Sequence, residues 1–393
     1  MSIFKTVDKP PSLLGYHRLL SPTAGVRVSP LCLGAMNFGT NWESFTGECS
    51  KETAFAILDY FYEQGGNFID TANNYQGEQS EQWLGEWIKA RGNRDELVLA
   101  TKFTTGYRTI GAHEKIKSNF SGNHAKSLKL SVEASLKKLG TDYIDLLWLH
   151  WWDFSTSIPE LMNSLHHLVA AGKVLYLGIS DTPAWVVVKC NDYARFHGLT
   201  QFCVYQGKWS AAERDFERDI LPMVHEEGMG LCPWGALGQG KLKSREAFKN
   251  RTEGRAVGSE QPEHFARIAG VMEDIAKTKG KDIPVTSIAL AYVMHKAPYV
   301  FPIVGGRKIE HLKGNIEALS ISLSDDEIDK IDAAEPFDLG FPMNFLFEFT
   351  GGKYKTSATA EDVGLTTVNT ALESVPKPKP ITPGQGQRKI HSS

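Results

Sequence analysis

Cysteine is sparse in this 393-residue sequence: Cys32, Cys49, Cys190, Cys203 and Cys232, an odd count with no C-x-x-C pair. So few thiols, so widely spaced, argue against a disulfide framework or a zinc knuckle and fit a reducing compartment. Long apolar runs are missing too. No segment approaches the ~20 residues of a membrane span, and the opening MSIFKTVDKPPSLLG lacks the apolar core of a signal peptide. The expected location is cytoplasmic, without a membrane partner. Neither sign of charge prevails, since 43 Lys and Arg stand against 46 Asp and Glu for a net charge of −3. That balance gives no electrostatic reason for a nucleic-acid partner. Composition says nothing of oligomeric state.

Two motifs are absent as well. No G-x-G-x-x-G follows the first strand-like run, which removes the phosphate-gripping turn of an open dinucleotide-binding sheet. No H-x-H pair occurs either, so a metal-dependent barrel hydrolase is set aside and no metal site is expected.

What the chain does have is alternation. Residues 15–29 read as a β-hairpin with a turn over Ser21-Pro22-Thr23-Ala24-Gly25. Apolar runs follow at 31–36, 68–70, 97–102, 144–150, 174–179, 202–205, 230–234 and 300–304. Helical periodicity fills the gaps at 51–64, 80–90, 124–139, 157–170, 183–196, 213–227 and 264–279. Strands alternating with helices imply right-handed βαβ units and a parallel sheet. Eight such runs in ~300 residues favour an α/β fold of the closed (β/α)8 barrel type over an open sheet. Residues 235–261 are long for a connection and read as a lid-like loop. Ser324 and Glu327 form a capping box at the start of a short acidic helix, 324–333. The barrel is expected to occupy residues 1–350, and the Gly-, Ser-, Thr-, Pro- and Lys-rich residues 351–393 to be a mostly disordered tail.

Three of the apolar runs end in ionisable side chains: Asp70, Lys102 and His150, with Tyr75 in the loop five residues beyond Asp70. In a barrel, strand C-termini point into the mouth where ligands bind. Each residue alone has a bland explanation: a capping Asp, a solvated Lys, a structural His. Together they suit one task. A phenol with a pKa near 10 exchanges protons slowly at neutral pH, and a nearby ammonium favours the phenolate. Asp70 would hold that ammonium charged and aimed, and a neutral His150 would donate to a substrate oxygen where negative charge develops. The set suits proton donation to a carbonyl while a hydride arrives from elsewhere. No side chain supplies hydride, so a nicotinamide is implied.

These motifs resemble the aldo-keto reductases: Asn67-Phe68-Ile69-Asp70-Thr71-Ala72 with Tyr75, the strand ending Thr101-Lys102-Phe103, and Tyr143 to His150. The resemblance runs from about Leu31 to Ile331 and is strongest to the fungal aryl-alcohol dehydrogenase-like branch that includes norsolorinic acid reductases. It implies Tyr75 as general acid/base, Lys102 and Asp70 as its tuning pair, and His150 as the orienting donor. It also implies NADP(H) as cofactor and a small-molecule carbonyl or alcohol as partner, with a link to secondary metabolism. Ser180, Asp181 and Gln206 stand where the family grips the nicotinamide amide, although Asp181 replaces the usual Asn. Trp209 stands where an aromatic stacks on the ring. The loop Trp234, Gly235, Leu237, Gly238, Gly240 and Lys241 resembles the family's cofactor belt, its glycines letting backbone N–H groups approach a pyrophosphate. Gly306, Arg307, Lys308, His311 and Asn315 follow the last strand at a helix start, where barrels bind phosphate. Arg307 and Lys308 bring the charge a 2'-phosphate needs, and His311 stands where many members carry Arg. Met36, Asn37, Phe38 and Trp151 are the expected substrate contacts, and the pair Trp151-Trp152 points to a flat aromatic or aliphatic carbonyl rather than a sugar phosphate. The rival reading is a non-catalytic NADPH-binding barrel that reports redox state within a larger complex, a role that would not need Tyr75 and His150 together.

Overall fold

The computed structural model describes residues 7–250, 260–280, 283–348 and 358–383. A two-stranded hairpin, β1 (Arg18–Ser21) and β2 (Ala24–Val28), precedes an eight-stranded parallel sheet. The sheet strands are β3 (Cys32–Gly34), β4 (Phe68–Asp70), β5 (Val98–Phe103), β6 (Ile144–Leu149), β7 (Val174–Ser180), β8 (Phe202–Lys208), β9 (Gly230–Trp234) and β10 (Ile303–Val304). Neighbours follow chain order, β10 pairs back onto β3 with Ile303 beside Cys32, and Leu231 bridges in parallel to Val300. The sheet thereby closes into a (β/α)8 barrel. Around it lie α1 (Lys51–Glu63), α2 (Gln79–Arg91), α3 (Ala125–Leu139), α4 (Ile158–Ala170), α5 (Ala184–His197), α6 (Ile220–Glu226), α7 (Glu263–Lys279), α8 (Val285–Lys296), α9 (Ile309–Glu317) and α10 (Asp325–Ala333). Among the described residues no helix is long and apolar enough to cross a membrane, and all five cysteines are buried free thiols.

Several boundaries differ from the sequence expectation, each for a local reason. The hairpin turn is only Pro22-Thr23, because Ser21 pairs with Ala24 and its hydroxyl accepts the Thr23 N–H at 3.2 Å. The helix expected at 213–227 is broken into a 3-10 turn, Asp215–Glu217, and α6. Pro222 lies in the first turn of α6, the one place a helix accepts a residue without an N–H. Helix α8 was not expected at all: residues 287–294 are buried without a gap. A helix apolar on every face carries no 3.6-residue stripe to read. The Ser324 capping box forms as expected, with Glu327 N–H donating to the Ser324 hydroxyl at 3.3 Å and Ser324 N–H to the Glu327 carboxylate at 2.8 Å. In the lid-like loop, the described part holds a turn at Gly238–Gly240 and a short helix at Arg245–Lys249; residues 251–259 lie outside the described residues. Of the C-terminal segment, residues 358–383 hold two short 3-10 turns, and 351–357 and 384–393 lie outside the described residues.

Parity along the strands places the site. Side chains alternate between the two faces of a strand. Phe68, Val98, Ala100, Leu146, Trp148, Val204 and Cys232 fill the barrel interior, closed at its N-terminal end by Leu20, Ala24 and Val28 of the hairpin. Ile69, Leu99, Phe103, Leu147 and Leu149 face the helices instead. Two residues beyond the interior set, the same face must carry Asp70, Lys102, His150, Gln206 and Trp234. These form the top layer of the barrel, above a floor in which Trp148 is fully buried.

That floor is tight. A Cβ at Gly178 would lie 2.4 Å from the Trp148 ring, and a buried indole has no free end to swing aside. Gly178→Ala should therefore cost on the order of 1–3 kcal/mol by overpacking. Thermal unfolding checks this: a lowered Tm is expected, and an unchanged or raised Tm would contradict the packing.

Candidate active site

The top layer begins with a buried ion pair. Lys102 and Asp70 are 1% and 3% exposed. The Lys102 ammonium donates to Asp70 Oδ2 and, at 2.7 Å, to the Thr71 carbonyl. Gln206 Nε2 donates to the other Asp70 oxygen at 3.3 Å. Past β4 the chain keeps to the β5 ladder, Thr71 N–H donating to the Ala100 carbonyl at 2.9 Å and Asn73 N–H to the Lys102 carbonyl at 3.1 Å. This short extension carries Tyr75 over the lysine. The ammonium lies 5.0 Å from the Tyr75 ring centroid, and the His150 ring meets the phenol edge-on with centroids 5.9 Å apart. His150 is held through Nδ1 by the Thr105 hydroxyl at 3.2 Å and through its backbone N–H by the Thr104 hydroxyl at 3.3 Å. The four side chains read from the sequence are thus brought into one cluster.

Burial and charge set their protonation. Burial lifts the Asp70 carboxyl above its ordinary value against the pull of Lys102. Burial would lower the Lys102 ammonium, but Asp70 and Tyr75 outweigh it and the lysine stays charged. The sequence suggests a tyrosine of lowered pKa. The structure corrects this: burial outweighs Lys102, and the phenol lies above its ordinary 10. Burial thus favours the neutral phenol, and Lys102 opposes it. Burial, then repulsion from Lys102, pushes His150 down to about 3. A neutral imidazole keeps one N–H to donate. Asp181, at the end of β7 with a left-handed φ of 40°, is pushed up to about 6, mainly by burial, while its Oδ1 accepts the Trp234 indole N–H at 3.2 Å.

A cleft of about 340 Å³ opens on this cluster, lined by Met36, Asn37, Phe45, Asp70, Tyr75, His150, Asp181, Gln206 and Trp234. A groove of about 650 Å³ adjoins it, lined by Gly235, Leu237, Gly240, Lys243, Gly306, Arg307, Lys308, His311 and Asn315. Asn37, Gly235, Gln239, Ile303 and Gly305 line both, so the two are continuous. Most residues expected to hold a cofactor thus share one surface, with the N-terminus of α9 at its far end.

Some do not. Trp209 is fully buried, stacked on Phe216 at 5.5 Å, its indole N–H donating to Glu217 at 3.2 Å. Neither face is open to a ligand. Counting in twos from Gln206 puts Trp209 on the outer face, whereas the same count from Cys232 puts Trp234 inside, so parity separates the aromatic that lines the cleft from the one that does not. Phe38 is fully buried in the outer core and cannot touch a substrate. Trp151 is 38% exposed and stands at the rim, its indole N–H on the Thr105 hydroxyl at 2.9 Å, rather than in the cleft lining. Gly238 is buried against Phe265, the Lys241 ammonium lies over that ring at 5.3 Å, and Ser180 is buried beneath Asp181. The sequence reading missed Phe45 and Lys243; the latter repeats the charge of Lys241 two residues on, where it reaches the groove.

The aldo/keto reductase family model matches residues 30–336. The chain belongs to that family. It is 61% identical over 391 residues to norsolorinic acid reductase A of Aspergillus parasiticus, covering 100% of this chain and 99% of the relative. It is 58% identical over 375 residues to norsolorinic acid reductase B of Dothistroma septosporum, 94% of each. With an aryl-alcohol dehydrogenase of Pestalotiopsis microspora it shares 50% over 388 residues, 98% of this chain and 97% of the relative. This aldo/keto reductase is an oxidoreductase acting between carbonyl and alcohol.

The depressed pKa of His150 has a direct readout. A histidine whose folded value lies near 3 instead of 6.5 contributes stability above pH ~6.5 and loses it as pH falls toward ~3, because the unfolded chain takes up the proton first. The His150 imidazole should show no NMR titration between about pH 5 and 8. A midpoint inside that window would contradict the neutral donor.

Proposed function

We propose that this protein interconverts an aldehyde or ketone and its alcohol with NADP(H), Tyr75 acting as the general acid/base. The carrying observation is the position of Tyr75 between Lys102 and His150 in a cleft continuous with a glycine-walled, basic groove. The groove's residues fit a dinucleotide. Asn37 Oδ1 is buried at the junction without a protein partner, a group that a bound polar molecule satisfies. Gly305 and Gly306 leave the backbone open, and Arg307, Lys308 and Lys243 supply positive charge. Gln206, Asp181 and Trp234 would hold the nicotinamide, and Arg307, Lys308 and the start of α9 the adenosine phosphate. When bound, the nicotinamide supplies or accepts the hydride.

The chain's own groups handle the proton. In reduction, His150 donates a hydrogen bond to the carbonyl oxygen and Tyr75 gives its proton to it as charge builds there. Lys102, fixed by Asp70 and Thr71, stabilises the phenolate left behind; in oxidation the same phenolate takes the proton back. Met36, Phe45 and Trp234 line the cleft with apolar surface, which favours an aromatic carbonyl. The names of the relatives, norsolorinic acid reductase and aryl-alcohol dehydrogenase, support the same substrate class and a place in secondary metabolism.

Tyr75→Phe removes the transferable proton and little else. Turnover should fall about 10²- to 10⁴-fold while NADPH affinity, read by nicotinamide fluorescence, stays near wild type; retained turnover would refute the role. Arg307→Ala removes charge-assisted hydrogen bonds worth roughly 1.5–3 kcal/mol. Titration should show NADPH binding weakened about 10- to 100-fold with NADH unchanged. Equal losses for both nucleotides would place the 2'-phosphate elsewhere.

A further inference from the structure

Directly after Tyr75 the backbone enters the left-handed region for three residues: Gln76 at φ 53°, Gly77 at φ 57° and Glu78 at φ 81°. Glycine adopts this conformation freely. Glutamine and glutamate do so at a cost, and such strain persists only where surrounding contacts hold it. Glu78 is held from one side by Arg108 at 2.9 Å and Lys138 at 2.9 Å.

Gln76 is fully buried, and every polar atom of its side chain reaches the same segment, the loop after β3. Its Nε2 donates to the Met36 carbonyl at 3.0 Å and to the Thr46 hydroxyl at 3.2 Å. Its Oε1 accepts the Trp42 N–H at 2.7 Å, and its backbone carbonyl accepts from Asn41 Nδ2 at 2.9 Å. The loop fits around it closely, since a Cβ at Gly39 would lie 2.4 Å from Gln76 Cβ. Trp42 also packs edge-on against the Tyr75 ring, centroids 6.1 Å apart. This loop contributes Met36, Asn37 and Phe45 to the cleft. One carboxamide next to the acid/base tyrosine thus ties down the facing wall of the cleft.

We propose that Gln76 is a positioning residue that fixes the 36–46 loop relative to Tyr75, and so the placement of the substrate carbonyl on the phenol; the kinetic part rests on the function proposed above. The backbone strain at Gln76 is retained because the side chain it orients is needed. Two substitutions separate this from a role in stability alone. Gln76→Met keeps the volume and the strain but loses the three side-chain hydrogen bonds. Gln76→Gly loses the same bonds and relieves the strain. If Gln76 positions the loop, kcat for carbonyl reduction with NADPH should fall about 10- to 100-fold in both, whatever happens to Tm. Wild-type kcat in Gln76→Gly would overturn the proposal, because strain and bulk would then be all that Gln76 contributes. Hydrogen exchange gives a second readout that needs no turnover: the Trp42 amide should be protected in the wild type and exchange at least ten-fold faster in Gln76→Met. Unchanged exchange there would also overturn the proposal. A wild type that reduces no carbonyl, with this loss of protection still seen in Gln76→Met, would refute the proposed function while leaving the clamp in place.

Discussion

The buried ion pair between Lys102 and Asp70 is the interaction on which the site depends. An ammonium that is 1% exposed is tolerable only because a carboxylate, the Thr71 carbonyl and a neighbouring phenol surround it. Removing either charge would strand the other in a dry interior, a loss of several kcal/mol by analogy with other buried pairs. That constraint fixes the register of β4 against β5, because Asp70 must stand beside Ala100 for its side chain to meet Lys102 two residues on. It also accounts for Gln206, which reaches across the barrel to satisfy the second carboxylate oxygen. With Gln206 the pair links β4 and β5 to β8 across the barrel, and Lys102 gives Tyr75 its electrostatic partner.

The protonation states that follow bear on how one cluster would serve both directions of the proposed reaction. Burial favours the neutral form of both Tyr75 and His150, which under the proposed function would give a carbonyl oxygen two neutral donors. Lys102 opposes burial at Tyr75, a contribution that would grow in value if negative charge develops on the phenol as proposed. Under the proposed function, the lysine would matter most in the transition state rather than in the resting enzyme.

Much of this was legible in the sequence because strands carry a strict period of two. Apolar runs that end in Asp70, Lys102 and His150 announce both the barrel and the end of it where these side chains cluster, and the turn chemistry of Ser324 and Glu327 reads directly as a helix start. What stayed hidden has physical reasons. Helix α8 is buried on all sides and so has no polar face to set its phase. Trp209 and Trp234 are alike in composition and differ only in parity, which decides that one stacks on Phe216 while the other lines the cleft. Gln76 could not be singled out at all, since its importance lies in bonds to residues 30 to 40 positions earlier and in a left-handed backbone that no periodicity reports. The balance between burial and Lys102 at Tyr75 was equally out of reach, because it depends on how completely the barrel mouth excludes water.

The most direct test of the account is turnover by the intact protein: NADPH and NADH compared against a panel of aromatic aldehydes and ketones, following the nicotinamide absorbance and the alcohol formed. The account predicts carbonyl-dependent loss of absorbance with NADPH, one alcohol per nicotinamide oxidised, and slower turnover with NADH. Tight NADPH binding with no carbonyl-dependent oxidation across the panel would contradict it and leave the protein as a nucleotide-binding barrel without this chemistry.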